Sequence, residues 1–304
     1  MLRLNNARLT VQILPGVGGG LARLDWCGRG EPIPLMRPCE LSQAAAGSQL
    51  DPNRLACYPL LPWSNRIAQG GFEVEGRRVT LSPNRDDEPL PIHGSGWQRA
   101  WQVLRHSDHE ALLVLEECTP DAYAYHASLR YVLQDDALQI ELQVTNTGPS
   151  AMPFGLGLHP FFPRQGEVAL RAPAPQVWIN DGNSPLPVAL ADVPSAWDFS
   201  DSRSLPEDGL NHGFQSWTGD AVISWPRLGL HLHLETDVDA FVIYTPADLE
   251  FFCFEPVDHA INAVHLPGGA VANGMTLLAP QASLARHFVF RVVDDSWPER
   301  SLYS

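Results

Sequence analysis

Basic residues are scarce in this chain. It has 20 Lys plus Arg against 35 Asp plus Glu, for a net charge of −15. Nucleic-acid phosphates need a basic patch and anionic lipid attracts cations, so neither partner is expected. An uncharged ligand is compatible with this balance. Charged residues of both signs make up only 18%, and apolar residues 44%, which is the composition of a globular chain with a large core. No run of about 18 apolar residues occurs, so no membrane-spanning segment is expected. The stretch from Met1 to Arg8 has neither a long apolar run nor a cleavage-like site, so no secretory signal is expected. The five cysteines (Cys27, Cys39, Cys57, Cys118 and Cys253) are odd in number and form no C-x-x-C pair. They read as reduced, mostly buried thiols in a reducing, cytoplasmic setting. No Gly-x-Ser-x-Gly elbow is present. The glycines from Gly16 to Gly20 lack the Lys-Ser/Thr of a phosphate loop. No window of a dozen residues shows helical periodicity.

Gly and Pro are plentiful, with 24 and 27 residues spread along the whole chain. Between these breaks, period-two alternation recurs. Tyr125, Ala127, Leu129, Tyr131 and Leu133 alternate with His126, Ser128 and Arg130. Leu138, Ile140, Leu142 and Val144 alternate with Gln139, Glu141, Gln143 and Thr145. Asp135-Asp136 between the two runs predicts a hairpin turn. Strands are also predicted at Leu9–Leu14, Leu21–Trp26, Phe72–Leu81 with a turn at Glu75-Gly76, Ala111–Glu116, Gly229–Glu235, Phe241–Tyr244 and Leu284–Val293. The expected fold is all-β, with antiparallel sheets stacked or barrel-like, as a single domain over residues 1–304. Ser42–Leu50 reads as a short helical turn, and Ser184–Pro206 as a long surface excursion.

Three segments each hold one proton-active side chain in a frame of Gly, Pro and aromatic residues. They are Pro91-Ile92-His93-Gly94-Ser95-Gly96-Trp97, Gly155-Leu156-Gly157-Leu158-His159-Pro160-Phe161-Phe162 and Phe251-Phe252-Cys253-Phe254-Glu255-Pro256. Two imidazoles and a carboxylate can move protons on and off an uncharged organic molecule near neutral pH. Glu255 follows an apolar run, so a partly desolvated carboxylate at a strand end is expected. It could equally be a structural glutamate paired with an arginine such as Arg66. His159 reads either as a proton donor or as a buried histidine satisfied by a carbonyl, and His93 either as a ligand contact or as a turn residue. Asn65-Arg66 could hold sugar hydroxyls beside the flat Trp63 indole, or form an ordinary capped loop. His231, His233 and Glu235 have a spacing that can bind metal, but the leucines between them form a core face and isolated motif matches are commonly false. No metal and no cofactor are therefore expected.

Taken together and in order, these frames resemble the aldose 1-epimerases (mutarotases) of the galactose-mutarotase-like superfamily. The resemblance runs from Asn65-Arg66-Ile67, through His93-Gly94-x-Gly-Trp97 with Trp101 following, to Gly157-Leu158-His159-Pro160-Phe161-Phe162. It ends at Tyr244-Thr245-Pro246 and Phe254-Glu255-Pro256-Val257-Asp258-His259-Ala260-x-Asn262-Ala263. It implies a large antiparallel β-sandwich with an open cleft on one sheet. It also implies Glu255 as general base, His159 as general acid, and His93 and Arg66 as sugar contacts, with Asn65 beside them. Relatives usually carry Asp in a Leu-Asp-His-x-Phe segment, whereas this chain reads Leu210-Asn211-His212-Gly213-Phe214. Asn211 can both donate and accept, so it could still hold a sugar hydroxyl, with affinity or sugar preference as the properties it would alter. The implied activity is interconversion of α and β anomers of a free aldohexose. Rival readings are a hexose-6-phosphate epimerase, which should surround its phosphate with Arg or Lys, and a non-catalytic sugar sensor. A glycosidase would need a second carboxylate near Glu255, such as Asp237, Asp239, Asp248 or Asp258. A scaffolding role has no supporting feature.

Overall fold

The computed structural model describes residues 1–40, 50–164, 166–206, 209–247 and 249–297. Two large antiparallel sheets carry the chain. Across the first, the strands run Leu2–Asn5, Leu9–Ile13, Leu21–Trp26, Cys57–Leu60, Gly157–Pro163, Phe251–Val257, Ala240–Tyr244, Asn211–Gln215, Gln176–Asn180 and Pro187–Asp192. The second runs Arg203–Ser204, Ala169–Arg171, Asp220–Trp225, Leu230–Thr236, Ser283–Asp294, Ala137–Asn146, Ala124–Gln134, Glu110–Cys118 and Gln102–His106. One buried apolar cluster joins them, with Leu158, Phe162, Phe252 and Phe254 from the first sheet and Leu129, Leu142, Phe288 and Phe290 from the second. The architecture is the expected β-sandwich, and its long alternating strands fall where the alternation places them. The Asp135-Asp136 hairpin closes with Gln134 opposite Ala137. At the other predicted turn, Glu75 (φ 48°) and Gly76 (φ 74°) both take the left-handed backbone of a tight two-residue hairpin.

The strands at the centre of the first sheet escape the alternation rule because both of their faces are covered. In Phe251–Val257, Phe252 and Phe254 point into the sandwich core. Cys253 and Val257 point the other way, into a second apolar cluster with Tyr58, Leu60, Phe161 and Val242. Glu255 shares that outer face by period two. It stands inside its strand, not at the strand end, because pairing continues to Val257 opposite Ala240. The Ser184–Pro206 excursion also contains more structure than expected. Pro187–Asp192 is an edge strand, and its proline occupies the first position, where a missing N–H is tolerated. Most of the Ser42–Leu50 segment, residues 42–49, lies outside the described residues. Among the described residues no helix is long and apolar enough to cross a membrane.

Candidate active site

Register gathers the site. Val242 pairs with Glu255, and Gly213 with Val242. His159 pairs with Tyr58. Gly157 opposite Val257 and Phe161 opposite Cys253 then bracket His159 beside Glu255. Five adjacent strands therefore place Tyr58, His159, Glu255, Val242 and Gly213 in one row on the outer face. The Glu255 Oε1 atom lies 3.3 Å from His159 Nε2. The two residues are 3% and 7% exposed, so they form the floor of the site. Burial lifts the Glu255 carboxyl to about 8, against a smaller opposing pull from Arg66. Burial also drives the His159 imidazole down to about 3. Both groups are thus pushed toward their neutral forms, and over a wide pH range the pair holds a single proton. Glu255 Oε2 and His159 Nδ1 are buried without a hydrogen-bond partner among the described residues. Such orphans are rare in folded proteins, and a bound ligand is one way to satisfy them.

His93 approaches from a loop. Its Nδ1 accepts the Asn65 backbone N–H at 3.0 Å, and its own N–H donates to the Asn65 carbonyl at 2.9 Å. With Nδ1 committed as acceptor, the neutral ring carries its proton on Nε2. The His93 ring stands edge-on to His159, with centroids 5.1 Å apart. The reciprocal lock requires left-handed backbone at both Asn65 (φ 55°) and His93 (φ 60°). Gly94 follows at φ 64°, and a Cβ there would meet the Leu61 carbonyl at 2.2 Å. Asn65 Oδ1 accepts from the Arg66 backbone N–H and from its Nη1, at 3.0 and 3.2 Å. The Arg66 guanidinium is then held by Glu88, with contacts of 2.8 and 2.6 Å. Its ion-pair partner is Glu88, not Glu255.

The loops beneath rest on a fully bonded frame. His259 Nε2 accepts the Ser64 N–H at 2.9 Å, and its Nδ1 donates to the Ala260 carbonyl at 2.8 Å. Asp258 accepts from the Leu156 N–H at 2.9 Å and from Arg286 Nε at 3.2 Å. Burial pulls Asp258 up to about 7 while Arg286 pulls it down. With each oxygen on its own donor, Asp258 is a structural ion-pair member, not a second hydrolytic carboxylate. Asp237 is exposed and binds His287, and Asp239 is also exposed. Asp248 lies outside the described residues.

Asn211 pairs with Tyr244, which pairs with Cys253, so it lies on the Glu255 face two strands away, partly buried. Trp63 is placed elsewhere. Its ring packs against Tyr123 at 5.6 Å and lines a separate cavity of about 630 Å³ whose walls include neither Glu255, His159 nor His93. His231 bonds Ser224 at 2.8 Å and contacts Asp295 at 3.3 Å, with no convergence on His233 and Glu235. Among the described residues, the group whose ligand atoms lie within 4.8 Å of one another is instead His159, Cys253 and Glu255. Burial holds the Cys253 thiol well above its ordinary pKa. Sequence reasoning missed Cys253, Tyr58 and Phe161 as site neighbours. Tyr58 and Phe161 both pack against His159, each with its centroid 4.6 Å away, and lie 6.0 Å from each other. The aromatic-rich frame around His159 was the only signal for this stack.

A sequence profile described as aldose 1-epimerase matches residues 1–291. The uncharacterized protein YphB of Escherichia coli K12 is 32% identical over 268 residues, covering 85% of this chain and 89% of its own. A crystal structure of a candidate aldose 1-epimerase from Escherichia coli K12 superposes with a TM-score of 0.86 at 29% identity, covering 96% of this chain and 98% of that one. The galactose 1-epimerase of Lactobacillus acidophilus NCFM shares the fold, with a TM-score of 0.75 at 18% identity and coverage of 95% and 92%. The chain belongs to the aldose 1-epimerase family.

Proposed function

We propose that this protein interconverts the α and β anomers of a free aldohexose, with Glu255 as base at O1 and His159 as acid at O5. The observation that carries this reading is the 3.3 Å approach of a buried carboxyl and a buried imidazole, each with one further polar atom unpartnered. When the shared proton rests on His159, Glu255 is a carboxylate. It takes the O1 proton while His159 protonates O5. The C1–O5 bond breaks and C1=O1 forms. Rotation about C1–C2 presents the other carbonyl face, and reclosure returns both protons. With no hydroxyl donating to Glu255, burial favours the neutral pair. Sugar hydroxyls donating to Glu255 would stabilise its carboxylate and prepare the base. The His93 Nε2 proton can steady a sugar oxygen, and Arg66 and Asn65 can bind hydroxyls. Asn211 lies across the same face as a further sugar contact.

A neutral sugar fits the local charge better than a phosphorylated one. Arg66 is already matched by Glu88, and Arg85 by Asp87 through contacts of 2.8 and 2.7 Å. Polarimetry on fresh α-D-glucose, α-D-galactose and their 6-phosphates tests the reading. Faster mutarotation of a free hexose is expected. Saturable sugar binding with no acceleration of any sugar would support a sensor and overturn the enzyme reading, and release of reducing ends from oligosaccharides would support a glycosidase.

A further inference from the structure

An acid that delivers a proton to a ring oxygen must keep its imidazole plane fixed. Two aromatic rings pack side by side against the His159 ring, with their own centroids 6.0 Å apart. Tyr58 and Phe161 lie nearly parallel to it, at interplanar angles of 27° and 26°. Trp97 continues the stack beyond Tyr58 at 5.1 Å. The Arg37 guanidinium sits 3.8 Å from the Phe161 centroid and 4.5 Å from that of Phe251. Planar guanidinium groups stack on aromatic faces in this way.

Both sides of the stack are tied to one short turn, Pro52–Arg54. The Arg37 guanidinium donates to the carbonyls of Asn53 and Leu55, the latter at 2.9 Å. The Tyr58 hydroxyl donates to Asn53 Oδ1 at 3.0 Å. The Arg37 backbone N–H also donates to the Phe161 carbonyl at 2.7 Å, a bond that survives any side-chain change.

We propose that Arg37 is a positioning residue for His159: it holds the Phe161 ring against the imidazole and so fixes the imidazole plane beside Glu255. Arg37 bonds to neither reacting group; it stacks on the Phe161 ring, and its charge adds to the downward push on the His159 imidazole, which Arg37→Lys would keep. Its kinetic consequence rests on the function proposed above, but its structural consequence does not.

Arg37→Met keeps the apolar stem and removes the planar cation. Arg37→Lys keeps the charge without the fork. In Arg37→Met, kcat for mutarotation is expected to fall on the order of 10-fold, with KM within about twofold, since small misplacements of a proton donor are costly while sugar contacts remain. Arg37→Lys should not restore kcat. Nuclear magnetic resonance gives the independent readout. Packed against two rings, the His159 ring protons should be shifted upfield in the wild type and move downfield in Arg37→Met, with those of His259 unchanged. If Arg37→Met fails to fold, Arg37→Gln, which also lacks the cation but keeps a polar head, should give the same downfield movement. Unmoved His159 signals would overturn the proposal, as would a change confined to KM. A wild type without mutarotase activity would sink the functional reading, and the ring signals would still decide the role of Arg37.

Discussion

Glu255 concentrates the chemistry and also a cost. Its carboxyl is raised from an ordinary 4.5 to about 8 by burial. Between those values the folded chain keeps a proton that the unfolded chain releases. Stability from this group is therefore complete below about pH 4.5 and is lost as pH rises toward 8, by at most about 5 kcal/mol. Glu255→Gln cannot ionise, so its melting temperature should gain on the wild type between pH 5 and pH 9. Equal differences at both pH values would contradict the burial argument. Activity should follow the same group. The pair works with one proton aboard, so kcat/KM should be level from about pH 5 to 7 and fall above about 8, where the acid has no proton left. A profile still flat at pH 9 would remove the pair from the mechanism. His93, His159 and Glu255 were legible in the sequence because each sits in a frame of residues with restricted backbones. The direction of Trp63 was not. A loop side chain has no period to fix its face, and this one turns toward Tyr123.

The strands show the same division. Ala124–Gln134 and Ala137–Asn146 were readable because one face meets solvent and the other the core. Gly157–Pro163 and Phe251–Val257 carry the proposed acid and base, yet are buried along almost their whole length, so polarity could not mark their faces. Only pairing register shows that His159 and Glu255 share a side. The two strands also depend on the turns packed behind them. Arg286→Met would leave the buried Asp258 carboxylate without its cation, and a loss of about 3–5 kcal/mol is expected in denaturant unfolding. A loss under about 1 kcal/mol would mean that Asp258 is neutral in the fold. Gly155→Ala would drive a Cβ to 2.0 Å from the His259 ring and disturb the Ser64 contact, so it should lower stability together with activity.

Over the full sandwich the charge is strongly negative, and all basic residues are arginine, since the chain contains no lysine. A net charge of −15 repels an anionic sugar at long range and leaves a neutral one unaffected. Turnover of a free hexose should therefore change by less than about twofold between low and moderate salt, whereas any turnover of a 6-phosphate should rise as salt screens the repulsion. A hexose rate that falls steeply with salt would point to a charged substrate group. The most direct measurement is magnetisation exchange between the α and β anomeric protons of D-galactose or D-glucose at equilibrium, with wild type and Glu255→Gln side by side at pH 7. The wild type should exchange the two signals far faster than buffer, and the variant should lose about 10²-fold or more of that excess. Exchange by Glu255→Gln at the wild-type rate would contradict the assignment of Glu255 as the base that opens the ring.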